Sequence, residues 1–223
     1  GCAIPTDLMS RVIDMEGLFA EALALMDPPG RRFLAIAGAP GSGKSTTAET
    51  LHRWLEARRP GESAVLPMDG FHFDDAILET KGRRPWKGAP DTFDVGGLLS
   101  VLQRLQDDHE DTVAVPVFDR DLEISRGSAR LIDRKARLII IEGNYLLLAQ
   151  SPWDRLQPRF DKTVLIDVPE PVLAARLRQR WLHYQLTEEQ ILHKLEANDL
   201  PNGREVIAKS RVADLILRQE TPA

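Results

Sequence analysis

A chain of 223 residues, 43% hydrophobic and 28% charged, can bury a core without metal or disulfide staples and is too apolar to be disordered. Its formal charge of −5 argues against a general polyanion-binding face, so no nucleic-acid partner is expected. The one cysteine, Cys2, allows no internal disulfide, and apolar runs such as 138–141 fall far short of the ~18 residues of a membrane span; a cytoplasmic protein without membrane contact is expected.

From the N-terminal side, Leu8, Val12, Met15, Phe19, Ala22 and Leu23 recur at helical spacing until Pro28, Pro29 and Gly30 stop the pattern, predicting an amphipathic helix over about 5–27. Its apolar face is assigned to the core, with a homodimer contact as the alternative. Residues 33–37 form a short apolar run ending in a glycine-rich turn, which reads as a buried strand. Residues 46–58 return to helical spacing. Further apolar runs at 64–68, 113–118, 138–141 and 164–168, with helical stretches such as 95–105 between several of them, predict a parallel sheet covered on both faces.

Residues 86–93, with Pro85, Gly88 and Pro90, read as an irregular loop and a candidate substrate flap. Residues 170–184 read as an arginine-rich helix, and Thr187 with Gln190 forms a capping box for the next one. The pair suggests a lid over about 171–195. Residues 198–203 read as a turn-rich segment and 212–217 as a short last strand. The whole chain, 1–223, is taken as one domain.

Between the first strand and the helix after it stands Gly38-Ala39-Pro40-Gly41-Ser42-Gly43-Lys44-Ser45, followed by Thr46. This is the eight-position phosphate-binding loop in the strand-to-helix context it requires. Glycines let successive N–H groups turn inward, the helix N-terminus adds its dipole, and Lys44 reaches the β- and γ-phosphates. Ser45 is the predicted Mg²⁺ ligand. The same loop serves switches, motors and kinases, so the loop by itself does not choose among them.

A kinase needs two further groups: one to orient an acceptor hydroxyl and one to neutralise charge on the transferring phosphoryl group. Asp69 follows the 64–68 run and is the candidate for accepting the acceptor's proton, with a turn-capping aspartate as the alternative. Glu142 follows 138–141, an apolar strand then an acid, and can hold Mg²⁺ directly or through water; a surface strand-end glutamate is the alternative. Arg176 and Arg180, four apart on one helix face, can fold over phosphates or be solvated. Arg120, Arg126 and His72 are candidates for substrate contact on the same terms.

Several separated motifs together resemble the phosphoribulokinase/uridine kinase family and its bacterial pantothenate kinase relatives. They are the loop at 38–46; Met68-Asp69-Gly70-Phe71; Pro90-Asp91-Thr92-Phe93-Asp94; Val115-Pro116-Val117-Phe118-Asp119 with Arg126 beyond; and Ile141-Glu142-Gly143. Residues 68–75, 87–94 and Asn198-Asp199-Leu200-Pro201-Asn202-Gly203 are similar to the branch labelled fructokinase-like, or fructose transport system kinase. The resemblance implies an α/β fold, the three-layer sandwich of P-loop NTPases with a mostly parallel central sheet and a small helical lid.

It also implies ATP and Mg²⁺ as cofactors, Asp69 as catalytic aspartate, Glu142 as the Walker B-like acid, Arg126 as a substrate contact, and Arg180, then Arg176, as lid arginines. Gly70-Phe71-His72 after the aspartate departs from the uridine kinase pattern, and the chain lacks the longer C-terminal portion of pantothenate kinases. A kinase of a sugar or other polyol is therefore expected, with nucleoside and pantothenate kinases as alternatives. A regulatory nucleotide-hydrolysing switch would need a guanine-reading Asn-Lys-x-Asp segment, which is not found in a suitable place.

Overall fold

A computed structural model describes residues 10–218; Cys2 and Leu8, singled out above, lie outside the described residues. In chain order the elements are β1 (Arg11–Ile13), α1 (Met15–Met26), β2 (Arg32–Ala37), α2 (Lys44–Glu56), β3 (Ser63–Pro67), α3 (Asp75–Thr80) and α4 (Val95–Asp107). There follow β4 (Thr112–Asp119), β5 (Ile124–Asp133), β6 (Leu138–Glu142), β7 (Lys162–Asp167), α5 (Glu170–His183), α6 (Glu188–Lys194), a π turn (Leu195–Asp199), α7 (Leu200–Lys209) and β8 (Leu215–Arg218).

Six strands form one parallel sheet in the order β1-β8-β7-β2-β6-β3. The central strands are apolar on both sides because helices cover both faces. Along β2, Phe33, Ala35 and Ala37 point into one buried cluster, shared with α4 and Trp153. Leu34 and Ile36 point into the other, shared with α1 and α2. The apolar face of α1 is thus in the core: Leu18, Phe19, Ala22 and Met26 are all buried in the second cluster. Among the described residues no helix is long and apolar enough to cross a membrane.

Three expectations are corrected. Val12 belongs to β1, not to the first helix: Asp14 takes the N-cap, its carboxylate accepting the Gly17 amide at 2.9 Å, and residues 11–13 pair with β8. The 113–118 run does not join the parallel sheet. As β4 it pairs antiparallel with β5, a strand not anticipated, in a separate two-stranded sheet. Only Val113, Val115 and Phe118 of β4 and Ile132 of β5 are buried, so this ribbon has a wet face and needs no second cover.

Residues 198–203, read as turns, are helical: they span the end of the π turn and the start of α7. Pro201 sits in the first turn of α7, where its missing N–H costs little, and the wide π turn ahead of it absorbs the break. The capping box at Thr187 and Gln190 forms in full.

Candidate active site

The strand register brings the site together. Ile36 of β2 stands opposite Glu142 of β6, and Glu142 stands opposite Pro67 of β3. The three segments that leave these carboxyl ends, the glycine-rich loop, the turn holding Asp69 and the one after Glu142, therefore emerge at one level. They line a cavity of about 430 Å³ with Lys44, Ser45, Thr46, Asp69, His72 and Glu142 on its wall.

The loop runs from β2 into α2 with Gly41 at φ 82° and Gly43 at φ 88°, left-handed values that turn its N–H groups inward and that only glycine adopts without strain. Pro40, Gly41 and Gly43 face the cavity, whereas Ala39 and Ser42 are buried beneath it. Lys44 Nζ donates to the Ala39 carbonyl at 3.1 Å. Burial lowers its ammonium to about 8 despite the nearby carboxylates of Glu142 and Asp69.

Ser45 Oγ donates to Glu142 Oε1 at 3.1 Å. Burial, with Asp69 adding, pushes the Glu142 carboxyl up to about 7 against the pull of Lys44 and Ser45. A hydroxyl and a carboxylate side by side are the oxygen donors a small hard cation takes, and an acid held this close to neutrality is short of positive charge. The pair therefore fits a divalent cation. Among the described residues no three His, Cys, Asp or Glu side chains cluster as a metal site, so such an ion would complete its shell with phosphate oxygens and water.

Asp69 lies in the 3-10 turn Met68–Phe71 just past β3. Burial pushes its carboxyl up, but Arg120, His72, Lys44 and Arg180 together outweigh burial and hold it below the ordinary value. Arg120 Nη2 donates to Asp69 Oδ2 at 2.7 Å. A carboxylate this well stabilised is a weak base; it suits orienting a hydroxyl and taking its proton late, which is what a loose phosphoryl-transfer transition state asks.

His72 packs between Phe93 and Phe118, with ring centroids 4.1 and 4.4 Å away, and its Nδ1 lies 2.7 Å from the Asp69 carbonyl oxygen. A carbonyl only accepts, so Nδ1 carries the proton. Burial lowers the His72 pKa in spite of Asp69; the neutral ring then presents Nε2 as an acceptor.

The arginines divide. Arg180 lines the cavity, where burial and then the charge of Arg120 lower its pKa; two guanidinium groups repelling one another are matched by a polyanion between them. Arg176 is not in the lining, and its Nη1 donates to the Gly41 carbonyl at 3.3 Å, bracing the loop from behind. Arg126 is 64% exposed on the ribbon, 3.8 Å from Asp119, and is absent from the lining; the ribbon contributes Phe118, Arg120, Asp121 and Glu123 to the cavity.

Lining residues not singled out from the sequence include Arg84 just before the flap, Lys87 on it, and Asn144, Trp181, Tyr184, Asn198 and Asp199. Asp75 receives Lys87 Nζ at 2.6 Å and Arg84 Nε at 3.1 Å. The prolines of 86–93 mark the flap and make Lys87 findable; Asn198 reads as a turn former in the sequence, and Arg84 and Asn144 carry no signal there.

No family model matches the chain. A Silicibacter sp. TM1040 protein described as a "putative fructose transport system kinase" is 39% identical; its crystal structure gives a TM-score of 0.84 over 93% of this chain and 100% of that one. A Schizosaccharomyces pombe protein named "putative uridine kinase" is 30% identical over 215 residues, 93% of this chain and 92% of its own length. The pantothenate kinase of Mesorhizobium japonicum is 33% identical over 215 residues, 83% of this chain and 67% of that enzyme.

Proposed function

Because the chain belongs to the family of P-loop kinases that includes uridine kinase-like proteins and pantothenate kinase, we propose that it transfers the γ-phosphoryl group of ATP to a hydroxyl of a sugar or related polyol. The observation that carries this reading is the register. It sets the phosphate loop, Asp69 and Glu142 at the carboxyl ends of three neighbouring parallel strands, around one cavity.

In this reading the loop amides and Lys44 hold the β- and γ-phosphates, and Ser45 and Glu142 would hold Mg²⁺, which would supply charge neutralisation there. Arg180 draws over the transferring group, and Asp69 orients the acceptor hydroxyl. Arg176 keeps the loop in shape. Arg120 bridges the two halves of the site, pairing with Asp69 until phosphate oxygens compete for it.

A polyol is supported by the acceptor half of the cavity. Its cations are offset by carboxylates: Arg120 pairs with Asp69, Arg84 and Lys87 share one oxygen of Asp75, and Asp121 and Glu123 add two further carboxylates to the lining, while Asp69 and His72 Nε2 present acceptors suited to hydroxyl donors. A carboxylate-bearing acceptor would have to displace one of these pairs.

The test is ATP consumption against a panel of sugars, nucleosides and pantothenate, with Asp69→Asn beside the parent. Turnover with a sugar that falls about 10²–10⁴-fold in the variant, with ATP affinity kept, is the expected result. Turnover only with a nucleoside or pantothenate would replace the polyol reading. Hydrolysis indifferent to every acceptor would overturn phosphoryl transfer to a small metabolite.

A further inference from the structure

The π turn between α6 and α7 touches the flap and the lid at once. Asn198 Nδ2 donates to the Lys87 carbonyl of the flap at 3.0 Å, and its Oδ1 accepts from Asn202 Nδ2 at 2.8 Å, which fixes the way its amide faces. The next residue, Asp199, is buried. Its Oδ2 accepts from Trp181 Nε1 of α5 at 2.8 Å, and Trp181 adjoins the cavity-lining Arg180. One turn on, Gly203 lies so close to the phosphate loop that a Cβ there would stand 3.2 Å from the Ala39 Cβ.

In a regular α-helix neighbouring residues point about 100° apart; the wider π turn leaves both Asn198 and Asp199 on the cavity wall. π turns inserted into helices recur at functional sites. We propose that Asn198 and Asp199 are positioning residues that lock the acceptor flap to the lid helix, so that the two covers of the site move as one body. This rests on the kinase reading for its purpose. With ATP bound and the flap open, water would reach the γ-phosphate, and joining the covers closes both routes together. Neither residue touches the reacting atoms in this scheme; Asn198 acts through the Lys87 backbone and Asp199 through Trp181.

The experiment is amide hydrogen exchange on the full chain without ligand, comparing the parent with Asn198→Asp and Asp199→Ala. Asn198→Asp preserves size and the acceptor for Asn202 but removes the donor to the flap. Asp199→Ala removes the partner of the lid alone. Each variant is expected to speed exchange about fivefold, the factor of one net hydrogen bond, in both the flap (86–93) and α5 near Trp181. Asp199→Asn, which retains an acceptor for Trp181, restores the parent pattern.

Loosening confined to the segment each residue touches would overturn the proposal. In a second arm Mg²⁺ with the non-hydrolysable ATP analogue AMPPNP protects lid and flap in the parent but only the lid in Asn198→Asp; equal flap protection in both would also overturn it. If AMPPNP leaves the parent unchanged, the kinase reading fails, while the ligand-free comparison still decides the coupling.

Discussion

Glu142 makes the site's pH dependence predictable. Its carboxyl is raised to about 7, by burial first and Asp69 second, so in the ligand-free fold the protonated form is favoured between its ordinary value and about 7. On the proposed reading a Mg²⁺ ion beside Ser45 would need the ionised form. The Mg²⁺-dependent part of nucleotide affinity should therefore be full above about pH 7 and fall as pH drops through it, by at most about tenfold per unit for one proton. Titration calorimetry of ADP with and without Mg²⁺ between pH 6 and 8 checks this, and Glu142→Gln should flatten the profile. The loop, Asp69 and Glu142 were legible in the sequence because each is a local rule: glycines where the backbone must turn inward, an acid where an apolar strand stops. Arg120 and Arg126 were not separable in the sequence. Both follow the same apolar run, and only the ribbon's turn brings Arg120 to Asp69 while leaving Arg126 exposed.

Between elements, one tie outside the site is Arg31, whose buried guanidinium donates to the carbonyls of Ala136 at 2.8 Å, Leu105 at 3.0 Å, Asp133 at 3.1 Å and Arg134 at 3.2 Å. It stitches the end of α4 and the β5–β6 turn to the start of β2. Arg31→Met keeps much of the volume but strips these acceptors of their donor, and should cost about 3–5 kcal/mol, read as a lower urea midpoint. The element boundaries that the sequence misplaced share a physical origin. The three residues of β1 are a strand only because β8, about two hundred positions later, offers an edge, and the apolar residues of β4 serve a ribbon as well as they would a sheet. Periodicity reports how a segment buries its side chains, not which neighbour it pairs with. The long helices α2, α4 and α5 carried enough repeats, and clear enough stops, to be read without that knowledge.

For the molecule as a whole, the sheet's far side depends on β8, which lies between β1 and β7. Leu217 is fully buried there among residues of α1, β2 and β7. Leu217→Ala should lower stability by about 2–5 kcal/mol in chemical denaturation, while the phosphate loop, built on β2, retains its nucleotide affinity in the folded fraction. The strand order carries a further consequence for synthesis. Among the described residues the central strand β2 pairs with β6 and β7, Arg32 meeting Leu138 and Leu34 meeting Lys162, so an emerging chain displays this apolar strand without its sheet partners until more than a hundred further residues have left the ribosome. At about 5–20 residues per second that interval lasts on the order of ten seconds, long enough for a chaperone to reach the nascent chain first. The phosphate loop, made directly after β2, meets Glu142 only at the end of that interval.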